Sequence, residues 1–152
     1  MALDGDSTAL DIGLKIVKKL KGHPFYVPTK ERPLYHAAAC LCSNYLVALE
    51  AEATKLMNRW AGPHGWDALR PLFEGTVNNL MKNAEKALTG PIARGDTLTV
   101  RQHVQILPKE LLPLYTTLGR STTQLALEQH TIDESTAERL HALWQEYERP
   151  TR

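Results

Sequence analysis

Cysteine is scarce in this chain: Cys40 and Cys42 are the only two in 152 residues. They stand two apart in a stretch that reads as helix, so they point to different sides of a cylinder and are not expected to bridge each other. That excludes a disulfide-stapled scaffold and leads to the expectation of reduced thiols in a cytoplasmic protein. An excess of one charge is lacking as well. Eighteen Lys and Arg against seventeen Asp and Glu leave a net charge of +1, which offers no electrostatic ground for a nucleic acid or an acidic membrane as partner. No apolar run approaches the roughly 18 residues that a spanning helix requires, and the N-terminus has no signal-peptide pattern. The nine glycines never form Gly-x-Gly-x-x-Gly, the turn that lets a pyrophosphate approach the backbone at a helix N-terminus. Repeats and low-complexity tracts are missing too. What remains is one ordinary domain's worth of chain, long enough to build a core.

From Pro33 onward the pattern is helical. Pro33 suits a first turn, where its missing N–H would have no partner. The stretch from Leu34 to Leu49 is apolar on almost every side, which predicts a helix in the middle of a bundle. It nevertheless carries His36, Cys40, Ser43 and Asn44 within about one side of the cylinder. Gly62, Pro63 and Gly65 break this first long helix. Leu69, Leu72, Phe73, Thr76, Val77, Leu80, Met81, Ala84 and Leu88 then recur at steps of three and four, an amphipathic helix with Pro71 in its first turn or kinking it. Gly90-Pro91 stops that helix. Asp96 is placed to cap a short helix containing Leu98, Val100, Val104 and Leu107. Pro108 separates it from a longer one using Leu111, Leu114, Tyr115, Leu118, Thr122 and Leu125. The last helix opens at Thr131 with Glu134 three residues on, a capping-box pattern, and buries Leu140, Leu143, Trp144 and Tyr147. Its end, with Glu146, Glu148, Arg149 and Arg152, reads as a solvated flank.

The first thirty-two residues differ. Ala2 to Gly5 reads as a short strand, Ser7 can cap a helix running to about Leu20, Gly22 closes it, and Pro24 to Val27 reads as a second strand. Lys15, Lys18, Lys19 and Lys21 crowd the helix end, where cations favour the dipole. A unit of two strands is too small to be a stable sheet alone. It reads as the last crossover of a larger parallel sheet, and the chain as a fragment or a truncated product.

With that layout in view, the sequence resembles the C-terminal helical half of a bacterial family of Rossmann-type NADP-dependent oxidoreductases, a half with no assigned function. The residues that carry the resemblance are Leu34-Tyr35-His36-Ala37-Ala38-Ala39 with Ser43-Asn44-Tyr45, the loop from Leu88 to Asp96, and Leu112-Pro113-Leu114-Tyr115. More distantly, the layout is similar to pyrroline-5-carboxylate reductase and to the 6-phosphogluconate dehydrogenase C-terminal superfamily. The resemblance implies a mainly α fold: a helical bundle of that C-terminal type over residues 33–152, preceded at 1–32 by a β-α-β remnant of a Rossmann sheet. It implies homodimerisation through the helical domain and a small polar substrate bound against a cofactor domain. NADP is then expected for the full-length protein and none is expected on this chain alone, because the Gly-rich turn would lie upstream of Met1.

Two candidate sites follow. In related dehydrogenases the equivalent helix offers polar residues to the substrate. His36 occupies such a place, and an imidazole, which titrates near ~6.5, can donate a proton to a nascent alkoxide or amine. The plainer alternative is a core histidine satisfied by its neighbours. Ser43 and Asn44 are candidate hydrogen-bonders to the substrate or partners for neighbouring helices. The second site is the loop with Thr89, Gly90, Pro91, Arg94 and Gly95. Its glycines permit backbone close to a ligand and Arg94 can fork onto a carboxylate; the alternative is a plain interhelical connection. By position it resembles the substrate loop of pyrroline-5-carboxylate reductase. No metal is expected: His36 and Cys40 at i,i+4 can chelate, but Cys42 faces away and the other histidines are scattered. Trp60, Trp66 and Trp144 read as core or subunit contacts. The reading is thus a dimerisation and substrate-pocket domain, with a non-catalytic helical dimer module or a cofactor-free binding protein as rivals.

Overall fold

Two short parallel strands open the fold. β1 (Ala2–Leu3) pairs with β2 (Phe25–Tyr26), Ala2 beside Phe25 and Leu3 beside Tyr26, and α1 (Ser7–Lys19) is the crossover. The computed structural model describes residues 1–148, so Arg149 and Arg152 of the expected solvated flank lie outside the described residues. Asp6 caps α1 in place of the expected Ser7. Its backbone is extended and its carboxylate accepts the Ala9 N–H at 2.8 Å, satisfying one of the free donors of the first turn. The C-terminal stop also differs from the expected Gly22. Lys21 takes the left-handed conformation (φ 53°). Its N–H bonds to Lys18 O at 3.1 Å and that of Gly22 to Val17 O at 3.0 Å, the paired bonds of a Schellman ending.

The chain forms two compact units, Met1–Arg70 and Pro71–Arg152. In the first, Pro28 leads through a single 3-10 turn (Thr29–Glu31) into α2 (Arg32–Cys42), with proline in the first turn as expected. α3 (Asn44–Ala61) follows. The expected single helix is therefore interrupted at Ser43, whose φ of −120° and ψ of −72° leave the helical well. Hydrogen bonds still run across the break, Ser43 N–H to Ala39 O at 3.1 Å and Val47 N–H to Ser43 O at 3.2 Å. Serine and asparagine are weak helix formers whose side chains compete for the backbone, and here they are adjacent.

Burial along these helices reverses the expectation. Neither α2 nor α3 contains a buried residue. Leu34 is 72% exposed, Val47 68% and Trp60 78%. The apolar pattern marks surface that this chain leaves open to solvent, not the middle of its own bundle.

α4 (Gly65–Lys82) holds Pro71 beyond its first turn and ends earlier than expected, at Lys82. Asn83 caps a following 3-10 turn (Ala84–Lys86) by accepting the Glu85 N–H at 3.0 Å. Leu88, expected on that helix, packs against the core of the second unit. That core is built by α5 (Thr97–Ile106), α6 (Leu112–Glu128) and α7 (Glu134–Glu148). Val100, Val104, Ala126, Leu140, Leu143 and Trp144 are its best-buried members, joined by Ile92, Ile132 and Ala137. Trp144 is fully buried, and its indole Nε1 donates to Thr123 Oγ1 at 3.0 Å. Thr123 in turn donates to the Gly119 carbonyl at 2.8 Å. The indole ring lies over Gly119, where an added Cβ would meet ring carbons at 2.7 Å. Asp133, accepting the Thr136 N–H at 2.8 Å, caps α7 instead of the expected Thr131 box. Thr131 completes α6: both its N–H and its hydroxyl donate to Ala126 O.

Candidate functional site

The carboxyl ends of parallel strands are where open α/β sheets hold ligands, because the chain leaves each strand there and opens a crevice. β1 leaves into Asp4, and β2 leaves into Val27 and the turn that starts α2. Between them lies a cavity of about 310 Å³ lined by Ala2, Leu3, Asp4, Val27, Arg32, Tyr35 and His36. Arg32 reaches back across it. Its Nε donates to Asp4 Oδ2 at 2.7 Å and its Nη2 pairs with the same oxygen, while Thr29 Oγ1 adds a third bond at 3.0 Å. The Arg32 bonds, then the Thr29 hydroxyl, hold the Asp4 carboxyl below its ordinary value of 3.8. This clamp ties the end of β1 to the start of α2. Tyr35, one helical turn on, sets its ring at 6.1 Å from Phe25 of β2 and fixes the face that α2 turns to the strands. His36 follows on that face, exposed, with Nε2 at 3.6 Å from Cys40 Sγ.

Of the residues singled out from sequence, His36 alone lines the cavity. Ser43 and Asn44 sit at the junction of α2 and α3, both exposed, roughly two turns (about 10 Å) along the axis from His36. The loop lies in the second unit. Thr89 and Arg94 are exposed there, Gly90 and Gly95 adopt φ of 95° and 67°, and Pro91 O accepts the N–H groups of both Arg94 and Asp96. Gly95 uses its freedom in this turn, and its missing Cβ admits the Thr136 methyl, which would stand 2.9 Å away. Asp96 caps α5 as expected, accepting the Thr99 hydroxyl at 2.6 Å and N–H at 3.0 Å, which lowers its pKa below 3.8. Sequence reasoning missed Asp4, Arg32 and Tyr35. The signal was present in part: Asp4 directly follows β1, and Arg32 and Tyr35 lie in the first turn of the helix that follows β2.

A dinucleotide phosphate does not fit this chain's strand-to-helix turn. The turn from β1 to α1 has one glycine, Gly5, between two acids, Asp4 and Asp6. Asp6 already occupies the helix N-terminus, its carboxylate standing where a pyrophosphate would need free N–H groups and no negative charge. Among the described residues no group of three or more His, Cys, Asp or Glu is placed to hold a metal ion. No helix among them is long and apolar enough to cross a membrane.

Residues 1–122 match the family described as a domain of unknown function, DUF2520. The chain belongs to that family. No curated protein and no solved structure matches it. The DUF2520 match takes in the strand pair, the cavity with His36, the loop before α5 and the first part of α6. α7 lies beyond it.

Proposed function

We propose that this DUF2520 chain is the self-association and substrate-pocket part of an NADP-dependent oxidoreductase whose cofactor is held by a separate Rossmann domain. The observation that carries the reading is His36 on a cavity at the carboxyl ends of a parallel strand pair. There an imidazole can pass a proton to the oxygen or nitrogen of a small polar substrate as that atom gains charge. Arg32, held by Asp4, adds a fixed cation to the same wall. The misfit of a pyrophosphate at the β1–α1 turn supports placing the cofactor on another domain. Homodimerisation is supported by α2 and α3, which expose Leu34, Leu41, Tyr45, Val47 and Trp60; Leu34, Leu41 and Tyr45, spaced by seven and four, share one side of the helix, and an exposed apolar stripe of that kind suits an interaction site.

A second reading rests on that same surface: a stand-alone helical dimer without catalysis. Two measurements on the chain separate them. Sedimentation equilibrium is expected to give twice the chain mass, with Leu41→Glu and Val47→Glu restoring a single one. Thermal-shift titration with small keto, hydroxy and imino acids is expected to stabilise the chain, and His36→Gln to abolish the effect. A dimer indifferent to every acid selects the second reading. A monomer that responds to none refutes both.

A further inference from the structure

Cys40 lies one turn beyond His36 on the same side of α2, and its Sγ stands 3.6 Å from His36 Nε2. Cys40 is half-buried, whereas Cys42, two residues on, is exposed. A neutral imidazole has one N–H and one bare nitrogen, and the hydrogen bond made at one nitrogen decides where the proton stays. In a neutral thiol–imidazole pair the bare ring nitrogen is a good acceptor and sulfur only a weak one, so the thiol is the donor. The matched arrangement is therefore S–H donating to Nε2, which leaves the ring proton on Nδ1. The same ring borders the cavity beside Arg32 and Asp4. Asp4 Oδ2 is already engaged by Thr29 and Arg32 and does not compete for that proton.

We propose that Cys40 is a positioning residue: its thiol holds His36 as the Nδ1–H tautomer, so the ring offers the cavity a hydrogen-bond donor. The group that such a ring takes is an oxygen acceptor, a carbonyl or carboxylate. The inference builds on the reading of His36 as a ligand-facing residue, yet it is measured on the free chain with no ligand present.

The experiment is a ¹⁵N–¹H correlation of the histidine rings near pH 7.5, His36 being assigned from the spectrum of His36→Gln. Wild type is expected to show protonated Nδ1 and bare Nε2. Cys40→Ala is expected to return the ring to the Nε2–H form that imidazole favours in water, and Cys40→Ser, whose hydroxyl can donate from the same place, to restore Nδ1–H. Protonated Nε2 in wild type, or an unchanged tautomer in Cys40→Ala, overturns the proposal. A pocket that binds no acid would refute the enzymatic reading while leaving the tautomer assignment standing, so the two failures are distinguishable.

Discussion

Two glycines in helix interiors give opposite responses to the same substitution, and the contrast tests how the second unit is packed. Gly119 and Gly75 both gain helix propensity on becoming alanine, a stabilisation of about 0.5–1 kcal/mol. At Gly75 nothing lies within 4 Å of the new Cβ, so the gain stands alone. At Gly119 the Cβ meets Trp144 Cη2 and Cζ2 at 2.7 Å and Cε2 at 2.9 Å. That ring cannot swing away cheaply, because it is fully buried and its Nε1 is held by Thr123. Overpacking of this kind costs about 1–3 kcal/mol, and three contacts against a rigid ring fall in the upper part of that range. Gly119→Ala is thus expected to be destabilised by about 1–2 kcal/mol net, and Gly75→Ala stabilised by up to about 1 kcal/mol. Urea denaturation followed by far-UV circular dichroism reads both, with the near-UV tryptophan band reporting the displaced indole. A Gly119→Ala protein as stable as Gly75→Ala would refute the close seat of Trp144 on α6.

Thr123→Val keeps the side-chain shape but strips the indole N–H of its acceptor in a dry core. A loss of about 1–3 kcal/mol is expected in the same urea assay, and no loss would mean that the N–H finds another partner. The carboxyls of Asp4, Asp96 and Asp133 all lie below their ordinary value of 3.8 because they accept hydrogen bonds, led by Arg32, Thr99 and Thr136 respectively. Their stabilisation is complete above that value and is lost as pH falls through the folded-state values, since the unfolded chain binds protons first. Asp96→Asn should flatten the acid limb of a stability-versus-pH curve measured by urea midpoints; an unchanged slope counts against the cap. Burial raises the Tyr115 hydroxyl above 10.0, so its contribution is complete below that value and declines as pH rises through the folded-state value. Tyr115→Phe should remove that alkaline decline, and ultraviolet titration should show one tyrosine ionising late.

Much of the second unit was legible because its signals are local. Asp96 precedes a run with Val100 and Val104 at helical spacing, and both the cap and the buried pair were found as read. Leu140, Leu143 and Trp144 repeat within one face and form the centre of the core. Local rules failed where two adequate caps competed: Asp133 displaced Thr131 and Asp6 displaced Ser7, in each case an acid at the position directly before the helix. α2 and α3 failed for another reason. An apolar helix surface says that something covers it, but a single chain does not say whether the cover is itself or another molecule. The site was half legible. His36 stood out as a polar residue on an apolar helix, whereas the Asp4–Arg32 clamp joins residues separated by 28 positions and emerges only when β1 and α2 are brought together.

α7 lies past residue 122, where the family match ends, yet it supplies Leu140, Leu143 and Trp144, three of the best-sealed side chains in the second unit. A polypeptide cut at residue 122 would divide α6 just ahead of Thr123 and Ala126 and leave Val100 and Val104 with an open flank. Family likeness and mechanical self-sufficiency therefore end at different places along this polypeptide. An expression boundary drawn by resemblance alone would produce an aggregation-prone half-core, while one drawn after α7 keeps the wedge that closes it.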